Sequence, residues 1–125
     1  VVADAYLGGE VYGDDYARAL SGARIGLGFL RKVCPDQHTT RTFEIPACGS
    51  MLLSDRTREC QEFFAEGREA EYFDSPEELV DKVKFYTTHE EARAHIAAAG
   101  RQRCIDGRYS YLERMRDAMM WVKSW

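Results

Sequence analysis

Residues 25–53 read IGLGFLRKVCPDQHTTRTFEIPACGSMLL, and the order of patterns within this stretch decides the fold. Ile25 to Leu30 is an apolar run of strand length, interrupted only by Gly26 and Gly28. It predicts a buried strand whose glycines let another group approach closely. A polar loop, Arg31 to Thr39, follows it. Thr40 to Cys48 then predicts a helix stopped by Gly49. Met51-Leu52-Leu53 is a second buried strand. Strand, loop, helix and strand in this order predict a parallel sheet covered by helices.

Working outward, the same alternation continues. Glu10-Val11-Tyr12 reads as a short strand ended by Gly13, and Asp14 starts a helix running to about Leu20. On the other side, Glu59 to Ala65 reads as a short helix, and Gly67 turns the chain into a third strand, Glu69 to Phe73. The last third is helical. Ser75-Pro76-Glu77-Glu78 combines a capping box with proline in the first turn. Thr88-His89-Glu90-Glu91 and Ser110-Tyr111-Leu112-Glu113 repeat the S/T-x-x-E spacing. Leu112, Met115, Met119 and Val122 share one face of the final helix and read as core filler. Trp121 and Trp125 read either as a contact with a partner domain or as a cover for this one. The expected fold class is therefore α/β, a Rossmann-like parallel sheet flanked by helices with a helical C-terminal third. A doubly wound sheet normally has five or six strands. Three clear strands and a weak fourth lead to the expectation that the N-terminal strands are absent. The opening Val1-Val2, without a methionine, points the same way.

Bulk composition sets wider bounds. The 125 residues are 45% hydrophobic and 30% charged, which fits one globular domain with a core of its own. Seventeen basic against 21 acidic side chains give a net charge of −4, which argues against a dedicated nucleic-acid binder. No apolar run reaches the roughly 20 residues of a membrane-spanning helix. The four cysteines form no C-x-x-C pair, so neither a zinc ribbon nor a redox dithiol is expected, and free thiols fit the cytoplasm. Two disulfides remain open as an alternative.

In an open parallel sheet, ligands bind beyond the carboxyl ends of the strands, where loops run into helix starts. The segment Thr39-Thr40-Arg41 occupies such a place. Backbone N–H groups at a helix start suit a phosphate, and threonine hydroxyls add donors. Arg41 in the first turn opposes the helix dipole unless an anion lies between them. Its guanidinium fits phosphate oxygens, and it fits a carboxylate such as Asp36 or Asp55 equally well. Glu44 lies one helical turn beyond Arg41, between apolar neighbours, and is expected to face the crevice. A carboxylate there accepts hydrogen bonds from both hydroxyls of a ribose; the simpler alternative is an Arg41–Glu44 surface pair. His38, just before the helix, can donate to a phosphate or a sugar hydroxyl. His89 and His95 carry no such expectation. The sequence holds no G-x-G-x-x-G, P-loop or H-E-x-x-H, and no D-x-D pair that would hold a metal on a diphosphate.

The run His38-Thr39-Thr40-Arg41-Thr42-Phe43-Glu44-Ile45-Pro46-Ala47-Cys48-Gly49 resembles the hallmark of CgeB-like (spore-maturation type) glycosyltransferases, relatives of the group 1 enzymes of the GT-B fold. The resemblance extends through Leu52-Leu53, Glu62-Phe63-Phe64 with Gly67 and Glu69, Glu77-Glu78-Leu79 and Ile96 to Arg101. It implies that residues 1–125 are the C-terminal, nucleotide-sugar-binding domain of a two-domain enzyme. By resemblance, Glu44 holds the donor ribose, and Thr39, Thr40 and Arg41 face its diphosphate. Many group 1 relatives carry a second glutamate eight positions before the first. Asp36 stands there instead, shorter, so Asp36 and His38 are catalytic candidates without an assigned step. The implied reaction moves a sugar from a nucleotide diphosphate donor to an acceptor hydroxyl without a bound metal or other cofactor. The implied partners are the donor and an N-terminal acceptor-binding domain of the same enzyme. The isolated fragment is expected to bind nucleotide weakly without turnover, and a homodimer that supplies the missing strands is a further expectation. The competing reading is a non-catalytic flavodoxin- or receiver-like α/β module for binding or regulation.

Overall fold

The computed structural model describes residues 9–125; Val1-Val2 lies outside them. Three parallel strands, β1 (Ile25–Gly28), β2 (Met51–Asp55) and β3 (Glu71–Phe73), form one sheet in the order β1-β2-β3. Ile25 pairs with Met51 and Gly28 with Ser54; Leu53 pairs with Glu71 and Asp55 with Phe73. The helices are α1 (Gly13–Gly22), α2 (Arg41–Ala47), α3 (Arg58–Phe63), α4 (Pro76–Thr88), α5 (Glu90–Asp106) and α6 (Tyr111–Lys123). No described helix is long and apolar enough to cross a membrane.

Side chains alternate across a strand, and β2 shows what this does here. Leu52 points into one core with Ile45 of α2, Cys60 of α3, Phe64 and Tyr72. Met51 and Leu53 point into another with Phe73, Tyr86 of α4, and Ile96 and Ala97 of α5. Every residue of Met51 to Ser54 is buried, as expected for a central strand covered on both faces. The expected α/β architecture is what the chain adopts.

Several expectations are corrected. Glu10 to Tyr12 forms no strand; Tyr12 is the extended residue before α1. The first strand ends at Gly28 rather than Leu30, and it is half-buried, because among the described residues nothing pairs with its outer edge. Leu27 is 42% exposed and Phe29 55%. Beyond Gly28 the backbone leaves the ladder when Leu30 N–H donates to the Asp55 carboxylate at 2.7 Å. The third strand begins at Glu71, not Glu69, because Arg68, Glu69 and Ala70 all donate their N–H to the Ala65 carbonyl in a tight turn. Thr88 does not cap α5. It is the last residue of α4, its hydroxyl donates back to the Lys84 and Phe85 carbonyls, and His89 starts the next helix.

At the other two boxes the serine caps form, while Glu78 accepts from Asp74 N–H rather than from Ser75. Ser75 Oγ accepts from Glu78 N–H at 3.1 Å and Ser110 Oγ from Glu113 N–H at 3.2 Å. The face of Leu112, Met115, Met119 and Val122 is not core filler: these residues are 54–64% exposed, and α6 buries none of its side chains. The periodicity correctly marks an apolar face, but nothing among the described residues covers it. Trp121 and Trp125 contact each other edge to face, at 5.4 Å between centroids, and both stay exposed.

Close packing seats α2 on the sheet. A Cβ on Gly26 would collide with Ile45 of α2, and one on Gly28 would collide with Ser54. The group that approaches Gly26 is therefore the protein's own second layer, and the one at Gly28 is its neighbour in the sheet. Gly49, at φ +86°, ends α2 in the left-handed region, as glycine after a helix does.

Candidate functional site

The loop from β1 to α2 is fastened along its length by the β2–α3 segment. Thr57 Oγ1 donates to the Gln37 carbonyl at 2.6 Å, and the Cys60 thiol reaches the same oxygen at 3.2 Å. Thr57 also caps α3 by accepting from Cys60 N–H, so one threonine both starts a helix and holds the loop. His38 Nδ1 lies 2.6 Å from the Glu59 carboxylate. Its ring stands edge-on to Phe63 at 5.1 Å and to Phe43 at 5.8 Å.

The start of α2 is built by threonines. Thr39 N–H donates to Thr42 Oγ1, and Thr42 N–H returns to the Thr39 carbonyl. The Thr40 carbonyl accepts from both Phe43 and Glu44, while the Thr40 side chain makes no capping bond. Among the described residues, the N–H groups of Thr40 and Arg41 find no hydrogen-bond partner. Such open donors are the ordinary condition of a first turn. Arg41 is exposed, and none of Asp36, Glu44 and Asp55 pairs with it, so the simple surface pair is not what this segment forms. Glu44 instead accepts a hydrogen bond from Tyr16 Oη of α1 at 2.9 Å. Partial burial first, and the Glu44 carboxylate second, hold the Tyr16 hydroxyl above the usual tyrosine pKa, so it remains a donor at neutral pH.

These residues form one wall of a pocket of about 870 Å³. His38, Thr39, Thr40, Phe43 and Glu44 line that wall; Arg101, Cys104, Arg108, Tyr109, Glu113 and Arg114 line the facing one. The size falls within the range of small-molecule sites, roughly 300–1,000 Å³. Its floor is aromatic: Phe43 packs on Phe63 at 4.9 Å and on Tyr109 at 5.1 Å. Its rim carries cations. Arg114 lies over the Tyr109 ring at 5.2 Å, and Arg108 pairs with Glu113. Burial pushes the Cys104 thiol up to about 11, which keeps it neutral at physiological pH. Among the described residues, no three His, Cys, Asp or Glu side chains cluster so as to hold a metal.

The structure thus brings together four of the sequence-predicted residues, His38, Thr39, Thr40 and Glu44. Arg41 and Asp36 are exposed and do not line the pocket.

The family model described as glycosyl transferase-like matches residues 3–120, nearly the whole chain. The chain belongs to this glycosyl transferase-like family. No curated protein and no solved structure matches it. In this glycosyl transferase-like chain, sequence reasoning missed Tyr16, Glu59, Phe63 and the whole facing wall. Tyr16 lies 28 positions from the residue it bonds, and Arg103 of α5 reaches back 40 positions to the Phe63 carbonyl. Local periodicity carries no signal for contacts at that separation. The Ser110 box does mark where the facing helix begins, but not which helix it meets.

Proposed function

We propose that the chain is a donor-binding domain of a CgeB-like, GT-B type glycosyltransferase, and that the pocket on α2 takes a nucleoside diphosphate sugar. The observation that carries the reading is Glu44: a half-buried carboxylate on the pocket wall that, among the described residues, bonds a neutral hydroxyl and has no cation within pairing distance. A carboxylate so placed keeps acceptor capacity for the two hydroxyls of a ribose. The open N–H groups of Thr40 and Arg41, the Thr39 and Thr40 hydroxyls and the Arg41 guanidinium supply donors for the diphosphate.

Chemically, the anomeric C–O bond to the diphosphate breaks and a C–O bond to the acceptor oxygen forms, while the acceptor hydroxyl gives up its proton. The part played by these residues is to bind and orient the donor and to stabilise negative charge on the departing diphosphate without a metal. Acceptor and general base belong to a second domain; the uncovered face of α6, from Leu112 to Val122, supports such a neighbour. His38, on the pocket wall, comes nearest to the transferred sugar in this reading; Asp36 lies outside the pocket. Free cysteines at 34, 48, 60 and 104 fit a reducing compartment, and we place the domain in the cytoplasm.

Calorimetric titration with UDP, GDP, UDP-glucose and FMN tests this reading. Saturable binding of a nucleoside diphosphate, reduced about tenfold or more in Glu44→Ala and in Arg41→Ala, is expected. Binding of FMN alone, or equal diphosphate binding by both variants and the parent, would refute it.

A further inference from the structure

The loop–helix contact that holds His38 contains a group that the donor reading does not use. Glu59 sits in the first turn of α3, its carboxylate 2.6 Å from His38 Nδ1, closer than an ordinary neutral hydrogen bond. An ionised carboxylate only accepts, so Nδ1 must carry the proton. In the neutral ring the other nitrogen, Nε2, then holds a lone pair and accepts. Nε2 has no partner among the described residues, and His38 is on the pocket wall beside Thr39. The ring is not free to turn, because Phe43 and Phe63 flank it edge-on. Glu59 is itself anchored: α3 is capped by Thr57, and the Glu59 N–H points at the Gln37 side-chain oxygen, 3.4 Å away.

We propose that Glu59 is a positioning residue that fixes His38 as the Nδ1–H tautomer and presents Nε2 to the pocket as an acceptor for a ligand hydroxyl. The inference rests on the donor-site reading for the identity of that hydroxyl, which is one of the transferred sugar. It does not rest on it for the tautomer. A neutral Nε2 acceptor repels phosphate oxygen, so His38 discriminates for the sugar and leaves the diphosphate to the start of α2. The pair thereby separates the two ends of the donor along one short segment: acceptor at 38, donors at 39–41.

Two readouts test it on the 15N-labelled protein near pH 8, where imidazoles are mainly neutral. Long-range 1H–15N correlation spectra are expected to show His38 with protonated Nδ1 and bare Nε2. In Glu59→Ala the His38 signals are expected to move to the Nε2–H or averaged pattern. In Glu59→Gln they stay, because the amide oxygen still accepts. On titration, UDP-glucose or GDP-mannose is expected to shift the His38 Nε2 resonance, whereas UDP or GDP alone leaves it unmoved. Glu59→Ala should lose about fivefold to tenfold in affinity for the nucleotide sugar and less than about twofold for the diphosphate. A parent protein with Nε2–H, or the same tautomer in parent and Glu59→Ala, would overturn the assignment of Glu59. If none of the four nucleotides binds the parent while the tautomer switch is seen, the sugar contact and the donor reading fall together and the positioning role stands.

Discussion

Gly100 lies in the interior of α5, where glycine is the least favourable residue apart from proline. Replacing it with alanine in an open helix would stabilise by roughly 1 kcal/mol. Here the opposite is expected. A Cβ at this position would penetrate the Glu69 carbonyl oxygen and lie 3.3 Å from Pro46 Cβ. The first neighbour is backbone in the turn that feeds β3, and the second is a buried residue of α2. Neither can move aside without shifting an element. Overpacking of this kind costs about 1–3 kcal/mol, and more where backbone must move. Because the Glu69 backbone must move, the cost falls at the upper part of that range or beyond it, about 2–4 kcal/mol. After subtracting the roughly 1 kcal/mol of helix propensity, a net loss of about 1–3 kcal/mol is expected for Gly100→Ala. At this chain length it corresponds to a drop in Tm of roughly 3–12 °C. Gly22, at the end of α1, has nothing within 4 Å of its Cβ position and serves as the control, with an expected change within about 0.5 kcal/mol. Urea unfolding followed by circular dichroism at neutral pH measures both. A Gly100→Ala protein as stable as the parent, or more so, would refute the claim that α5 is seated on α2 through this contact.

Two further outcomes concern the ion network beside β3. Lys82 reaches Glu66, Glu71, Glu78 and the Tyr72 carbonyl; Glu71, 5% exposed, has Lys82 and Tyr86 Oη as partners. Lys82→Met strands that buried carboxylate and is expected to cost about 2–4 kcal/mol in urea unfolding, part of which Glu71→Gln in the same chain restores. Arg56 donates to Glu66, Glu78 and Asp74. Its guanidinium, followed by the Asp74 N–H, holds the Glu78 carboxyl down at about 2, and also lowers Glu66. A carboxyl whose folded value is depressed contributes stability above its unfolded value, near 4.5, and loses it as pH falls toward 2. Stability is therefore expected to fall between about pH 4.5 and pH 2, by roughly 1–2 kcal/mol for Glu78 after allowance for its partial exposure. Unfolding curves across that window should flatten in Arg56→Met; an unchanged slope would exclude Arg56 as the cause.

The parts of this molecule that sequence makes legible are those written in short-range pattern. β2 is readable because Met51 to Leu53 is apolar on both faces, as only a covered central strand is. α2 is readable at both ends, from its threonines and from Gly49. Capping by Ser75 and Ser110 is likewise local. Reading fails where a residue has a local and a distant choice. Thr88 has the spacing of a cap, yet its hydroxyl finds carbonyls of its own helix first. Leu112, Met115, Met119 and Val122 have the periodicity of a buried face, but periodicity does not say whether a partner is present. Arg41 and Glu44 have the spacing of an ion pair, and it is Tyr16, far off in sequence, that bonds Glu44. Half of the pocket was legible for the same reason: α2 carries its own motif, and the wall from Arg101 to Arg114 meets it only through the packing of α5.

The central claim is that α2 and its preceding loop form a nucleoside-diphosphate site. It is tested most directly by following backbone amide resonances of the labelled protein during titration with UDP and GDP. Saturable shifts are expected at Thr39, Thr40, Arg41 and Glu44, with smaller ones at Arg101 and Tyr109 across the pocket. Saturable shifts confined to another face, or no saturable shift with either nucleotide, would contradict it.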